Sequence, residues 1–218
     1  MGTYVLYSYW RSSCSWRVRT ALEWKGIPYE YHAIHVLIGR DEQFQDKYTA
    51  LNPNQRLPTL VVDGHILPQS GAILEFLEET HPEKPLLPTD AFARAQVRNL
   101  CAIIGCDIQP IQNLSVVLKA TENLPEEQRA TKKQQWGRYW IERGFQALEV
   151  ELVKTAGVYC FGDKVTLADL YLQPQVYNAN RFGADVTKFP TIARISAALE
   201  AVPAFQKAHP LQQPDAIN

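Results

Sequence analysis

The stretch from His81 to Pro88 (His-Pro-Glu-Lys-Pro-Leu-Leu-Pro) divides the 218-residue chain into two parts that read differently. Its three prolines each lack an amide donor and clash with a preceding turn, so neither a helix interior nor a central strand can run through it. Before this stretch, β-favouring runs alternate with helical spacing. After it, the strand signal disappears. A chain of this length has room for one or two domains with a sizeable core, and the prolines supply the boundary. The expected division is a first domain at 1–81, a linker at 82–90 and an all-helical domain at 91–218.

Ahead of the boundary the order reads β-α-β-α-β-β-α. Tyr4 to Tyr9 is a run of β-favouring residues. Val18, Ala21, Leu22 and Lys25 then fall at helical intervals, and Gly26 stops the run. Tyr29 to Ile34 reads as a strand, about 41–50 as a short helix, and Thr59 to Asp63 as a third strand. Asp63-Gly64 is a hairpin turn and His65 to Leu67 its return strand. Ser70 is placed as the N-cap of a helix carrying Ala72, Ile73, Phe76 and Leu77. A β-α-β crossover makes its strands parallel, and the hairpin makes the edge antiparallel, so the expected sheet is small and mixed.

Beyond the prolines, Phe92 to about Lys119 reads as a helix bent near Gly105 and Pro110. A second helix runs from Pro125 to about Thr155, with Trp136, Tyr139, Trp140, Phe145 and Leu148 on one side. Thr166 and Asp169 have capping-box spacing and open a helix that is apolar nearly all round, which reads as a folding signal and not a reactive site. Shorter helices begin near Phe189-Pro190 and Pro203.

Chemistry concentrates where the first strand gives way to the first helix. Ser12, Ser13, Cys14 and Ser15 are short polar residues at a helix N-terminus, where unpaired N–H groups and the dipole favour an anion. No glycine-rich turn is present to cradle a phosphate. A thiolate fits better, because hydroxyl donors and positive potential stabilise it at neutral pH. It is either the chain's own Cys14 or a cosubstrate thiol held by Ser12 or Ser13. The plain alternative is a serine-rich cap without chemistry. Arg17 stands in the first turn, where a cation opposes the dipole, so either an anion lies near it or its side chain points to solvent.

The rest of the chain excludes several classes. A net charge of -1 offers no footprint for nucleic acid or an anionic membrane. No apolar run approaches membrane-spanning length. Cys14, Cys101, Cys106 and Cys160 form no metal-binding pattern, and His32 and His35 show no acidic or cysteine partner, so no metal site is expected. Scattered thiols suit a reducing cytoplasm.

Taken over its whole length, the chain resembles a glutathione transferase: a thioredoxin-like domain, a proline-bearing linker and a helical domain. Ser12-Ser-Cys-Ser-Trp-Arg-Val-Arg19 together with Gln109-Pro-Ile-Gln-Asn-Leu-Ser115 resembles the zeta class, whose members act as maleylacetoacetate isomerases. Asn52 to Pro58 and Gly162 to Asp169 are similar to segments found across the superfamily.

The resemblance implies roles. Ser12, with Ser13 and Cys14, would activate the glutathione thiol, and Ser15, Trp16 and Arg17 would complete that wall. Pro58 would be cis and present the backbone of Leu57 to the cysteinyl part. Gln69 and Ser70 would hold the γ-glutamyl end and Gln43 the glycyl end. Gln109, Asn113, Leu114 and Ser115 would reach the same ligand from the second domain. Arg11 and Arg181 would grip a small dicarboxylate-like keto acid. The implied reaction is glutathione-dependent cis–trans isomerisation, with transferase activity on small α-haloacids. The implied assembly is a homodimer, without nucleic acid or membrane. Three rivals stand beside it: a Cys14-dependent thiol transferase or dehydroascorbate reductase, a thiol activated by Tyr7 or Tyr9, and a non-catalytic binding module of the same fold.

Overall fold

The computed structural model describes residues 2–37, 39 and 41–217, and they form two compact units. The first unit spans 1–85 and 200–218, the second 86–199. The division falls within the proline stretch, but the expected second domain loses its last part: residues from Glu200 onward pack with the first unit. Short apolar patterns such as Ala204, Phe205 and Ala208 show that a helix is buried, and not what covers it.

In the first unit, β1 (Tyr4–Ser8), β2 (Glu30–Ala33), β3 (Thr59–Val62) and β4 (His65–Pro68) form one sheet in the order β2-β1-β3-β4. β1 and β2 are parallel, while β3 is antiparallel to both β1 and β4, giving the mixed sheet expected. Between β1 and β2 runs α1 (Ser13–Lys25), ended by Gly26 at φ 74°, whose N–H bonds back to Glu23 and Leu22 carbonyls. Only glycine adopts that left-handed conformation without strain. A 3-10 turn (Glu42–Phe44) and the single-turn α2 (Asp46–Thr49) replace the expected short helix. α3 (Ser70–Thr80) follows β4.

α1 is buried on every side from Ser15 to Leu22, because α3 and the C-terminal α10 (Pro203–Ala208) both pack on it. Arg19 thereby becomes fully buried. Its Nε donates to Ala208 O (3.2 Å), Nη1 to Ser8 Oγ (3.1 Å) and Tyr9 O (3.3 Å), and Nη2 to Trp10 O (2.9 Å). Burial lowers its pKa to about 10, with Tyr31, Tyr29 and Asp215 acting the other way, so it stays charged at neutral pH.

The second unit is helical. α4 (Ala91–Ala102) runs into a wider π-type stretch (Ile103–Ile108) that contains Gly105, then α5 (Gln109–Gln112) and α6 (Leu114–Thr121); the 41° bend falls at Asn113, where the backbone turns extended, and not at Gly105 or Pro110 as expected. α7 (Glu126–Thr155) buries Gly137, Ile141, Phe145, Leu148 and Leu152. That corrects the expected stripe, since Tyr139 is 56% exposed. Gly144 is where α7 meets the wide stretch: a Cβ there would lie 2.2 Å from Ile108. α8 (Leu167–Arg181) is buried almost throughout, as its composition requires. Asp169 caps it, accepting from Thr166 N–H (2.7 Å), Thr166 hydroxyl (3.0 Å) and Cys160 N–H (2.9 Å). Burial raises the Asp169 carboxyl against the pull of these bonds. α9 (Pro190–Glu200) completes the unit. Among the described residues, no single helix is long and apolar enough to cross a membrane.

Candidate active site

Ser12 sits at the N-cap of α1 with extended backbone (φ -67°, ψ 117°). Its Oγ accepts from Ser15 N–H at 3.2 Å. The hydroxyl oxygen thus accepts one bond, and its O–H, which donates to no described residue, is available to a ligand. No acidic residue stands in the first turn of α1, so the helix's own first turn does not neutralise its positive end. Arg11, Ser12 and Cys14 are half-exposed, whereas Ser13, Ser15, Trp16 and Arg17 are buried. Ser15 Oγ has no partner among the described residues, and Trp16 packs edge-on against His209 at 5.2 Å. Arg11 lies over the Trp10 ring, 5.3 Å from its centroid.

Arg17 resolves one open alternative. Its side chain does not point to solvent: the residue is 3% exposed and Nη1 reaches Ser70 Oγ at 3.4 Å. Ser70 is the first helical residue of α3, not its N-cap, and Gln69 holds the cap position at φ 73°. The expectation failed because the Ser70 hydroxyl faces Arg17 instead of bonding its own helix end. Gln69 is strained for a non-glycine residue, and such strain gathers where a fold holds ligands. The starts of α1 and α3, neither carrying an acid, and one guanidinium therefore converge. An anionic group suits that place.

The Leu57–Pro58 bond is cis. Tyr48 and Asn52 hold the flanks of this loop. The Tyr48 hydroxyl donates to Arg56 O (2.6 Å) and lies 2.9 Å from the Thr59 hydroxyl, while Asn52 Nδ2 donates to Arg56 O (2.8 Å) and Thr59 Oγ1 (3.1 Å). Leu57 itself makes no hydrogen bond to a described residue, so its main chain is open to an extended ligand. Gln43 is buried on the 3-10 turn, its Oε1 without a partner among the described residues. Tyr9, the tyrosine rival, is 3% exposed with its hydroxyl buried. His32 does have an acidic neighbour, contrary to expectation: Glu30 Oε1, two residues back on the same face of β2, is 2.5 Å from Nε2.

The other expected residues belong to the second unit. Gln109 opens α5, and Asn113 caps α6, its Oδ1 accepting from Ser115 N–H at 3.4 Å. Leu114 is 44% exposed. Arg181 ends α8, exposed, with Nη1 3.4 Å from Asn178 Oδ1.

A family model described as the glutathione S-transferase N-terminal domain matches residues 6–85. Maleylacetoacetate isomerase of Dictyostelium discoideum is 52% identical over 97% of this chain and 95% of its own. A solved holo maleylpyruvate isomerase, a bacterial zeta-class glutathione transferase, superposes with a TM-score of 0.91 at 45% identity, covering 98% of this chain and all of its own (100%). The chain belongs to the zeta class of glutathione transferases. A maleylacetoacetate isomerase of Anaeromyxobacter dehalogenans, solved with glutathione in its active site, has a TM-score of 0.89 at 47% identity, with 99% of each chain covered. The same protein has also been solved with dicarboxyethyl glutathione and citrate bound.

In this zeta-class chain, sequence reasoning missed the residues that hold the turn carrying Ser12. They are Arg19, Tyr31 and Asp215, the last from the C-terminal segment: its Oδ2 accepts from Trp10 N–H (3.0 Å) and its Oδ1 from the Tyr31 hydroxyl (2.6 Å). The one available signal was a second arginine in a helix otherwise read as core-facing.

Proposed function

We propose that this chain catalyses the glutathione-dependent isomerisation of maleylacetoacetate to fumarylacetoacetate, and that it also acts on small α-haloacids. The observation that carries the reading is Ser12: an N-cap hydroxyl whose acceptor side is occupied by Ser15 N–H, leaving its proton for an anion at the positive end of α1. Bound glutathione supplies a thiolate nucleophile, whose reversible addition to the cis double bond allows rotation to the trans product. The Ser12 O–H holds the sulfur ionised by a hydrogen bond to charge, about 1.5–3 kcal/mol. The α1 terminus adds roughly 0.3–1 kcal/mol.

Leu57 offers its open main chain to the peptide. Ser70, beside Arg17 at the start of α3, receives the γ-glutamyl carboxylate with Gln69. Arg11 binds a substrate carboxylate and favours the oxyanion that develops during addition. Ser13, Ser15 and Trp16 support the wall from inside, and Gln43 takes the glycyl end. For Gln109, Asn113, Leu114, Ser115 and Arg181, in the helical unit, a ligand-binding role rests on the family resemblance. Cys14, half-exposed next to Ser12, lines the site without being the nucleophile. The chain works as a homodimer in the cytoplasm.

The relatives carry two names, maleylacetoacetate and maleylpyruvate isomerase, which favours a second, closely related substrate of the same cis-enedione acid class. Purified protein incubated with maleylacetone or maleylpyruvate, with and without glutathione, tests the reading. Turnover that requires glutathione without consuming it is expected, and Cys14→Ser should spare it. Turnover without glutathione, or its loss in Cys14→Ser, would point to another chemistry.

A further inference from the structure

We propose that Asp215, in the C-terminal segment, is a positioning residue for the turn that presents Ser12. The proposal rests on the reading of Ser12 as the thiolate donor. It concerns how the hydroxyl is held in place.

The turn between β1 and α1 has little internal structure. Its own main-chain bond is Ser12 N–H to Tyr9 O, at 3.0 Å. Three further main-chain groups, Tyr9 O, Trp10 O and Trp10 N–H, are held by side chains from elsewhere. Arg19 donates to Tyr9 O (3.3 Å) and Trp10 O (2.9 Å). Asp215 Oδ2 accepts from Trp10 N–H at 3.0 Å, and this is the turn's contact with the far end of the chain.

The carboxylate is braced on its other side. Its Oδ1 accepts the Tyr31 hydroxyl at 2.6 Å, from β2, the parallel neighbour of β1. Burial, reinforced by this bond to Asp215, raises the Tyr31 hydroxyl, so it remains a donor across the neutral range. The segment carrying Asp215 is itself tied down: Gln213 Nε2 donates to Lys207 O and His209 O, both at 3.0 Å, and Ala216 N–H bonds Gln213 O at 3.0 Å. α10, just before it, is fixed to α1 through Ala208 and Arg19. Asp215 is therefore a rigid peg between β2 and the turn.

A peg of this kind matters to catalysis because hydrogen bonds to sulfur or oxygen weaken steeply with misalignment. A displacement of about 1 Å at a positioning group can cost on the order of a hundredfold in rate. Without Asp215, Trp10 N–H loses its acceptor, and the turn keeps the Ser12 N–H to Tyr9 O bond and the Arg19 anchors. The hydroxyl two residues later is then free to swing.

The test uses the full chain with Asp215→Ala, Asp215→Asn and Tyr31→Phe. Amide exchange is measured without ligand, and the bound glutathione thiol is titrated well below the melting transition. In Asp215→Ala the Trp10 and Ser12 amides should exchange about tenfold faster. The bound thiol should titrate roughly half a unit higher. The kcat should fall by about three- to tenfold, while KM for glutathione stays within about twofold. Asp215→Asn keeps one acceptor for Trp10 N–H and should recover part of each effect. Tyr31→Phe, which leaves the turn contact itself intact, should shift all three in the same direction by less, and it serves as the test if Asp215→Ala does not fold. Unchanged exchange at Trp10 and Ser12, or a lowered Tm with an unmoved thiol titration, would overturn the proposal and leave Asp215 a fastening for the tail alone. A wild-type thiol that titrates as in free solution would instead overturn the reading of Ser12, with the exchange data still deciding whether Asp215 orders the turn.

Discussion

Replacing Ser12 by alanine is expected to lower kcat by roughly ten- to a hundredfold while the protein stays folded. The substitution removes the O–H that stabilises the sulfur anion, a charge-assisted bond of about 1.5–3 kcal/mol. The fraction of bound glutathione ionised near neutral pH falls accordingly. The variant also loses the cap on Ser15 N–H, which costs about 1 kcal/mol of stability. Ser12→Thr keeps both the acceptor and the donor and should recover most of the rate and of the stability. Ser13→Ala is the internal control. Ser13 is 7% exposed and inside the helix, so its loss should leave most of the activity. Steady-state kinetics on maleylacetone would check all three. A Ser12→Ala enzyme with wild-type kcat would remove Ser12 from the mechanism.

The largest effect on stability is expected at Arg19. Arg19→Ala leaves Ala208 O and Trp10 O without their side-chain donor and takes one bond each from Tyr9 O and Ser8 Oγ, all in a fully buried site. Buried groups left unpaired cost about 1–3 kcal/mol each before relaxation, so a net loss on the order of 3–5 kcal/mol is expected. Arg19→Lys should recover little. An ammonium on a flexible stem cannot serve three carbonyls in different directions as a planar fork does. Urea unfolding followed by tryptophan fluorescence reads the change. A loss below about 1 kcal/mol would mean that the tail and the turn do not depend on this contact.

Much of the first unit was legible because its signals are local. The Gly26 stop and the Asp63-Gly64 hairpin each depend on a few neighbouring residues, and the mixed sheet follows from connection rules. The capping box at Thr166 and Asp169 was legible for the same reason. What failed depended on tertiary partners. Ser70 looked like a cap from its position, but Arg17, fifty-three positions away, took its hydroxyl. Tyr139 matched the helical period of α7 and still faces outward, because the buried stripe is set by what packs on it. The return of the C-terminal segment to α1 could not be read from a short apolar helix whose pattern is silent about its partner. In the candidate site, the polar cluster at Ser12 was readable from its own residues and the Gln69-Ser70 pair from the resemblance. The convergence of two helix starts on Arg17 was not, since it exists only once α1 and α3 are packed together.

In the proposed mechanism Ser12 and the end of α1 keep the cosubstrate sulfur negatively charged, and the ultraviolet absorbance of the thiolate reports this directly. Glutathione bound to the wild-type protein should show that absorbance rising with a midpoint about one to two units below that of the free thiol. A midpoint equal to that of free glutathione, with binding verified in the same sample, would contradict the account.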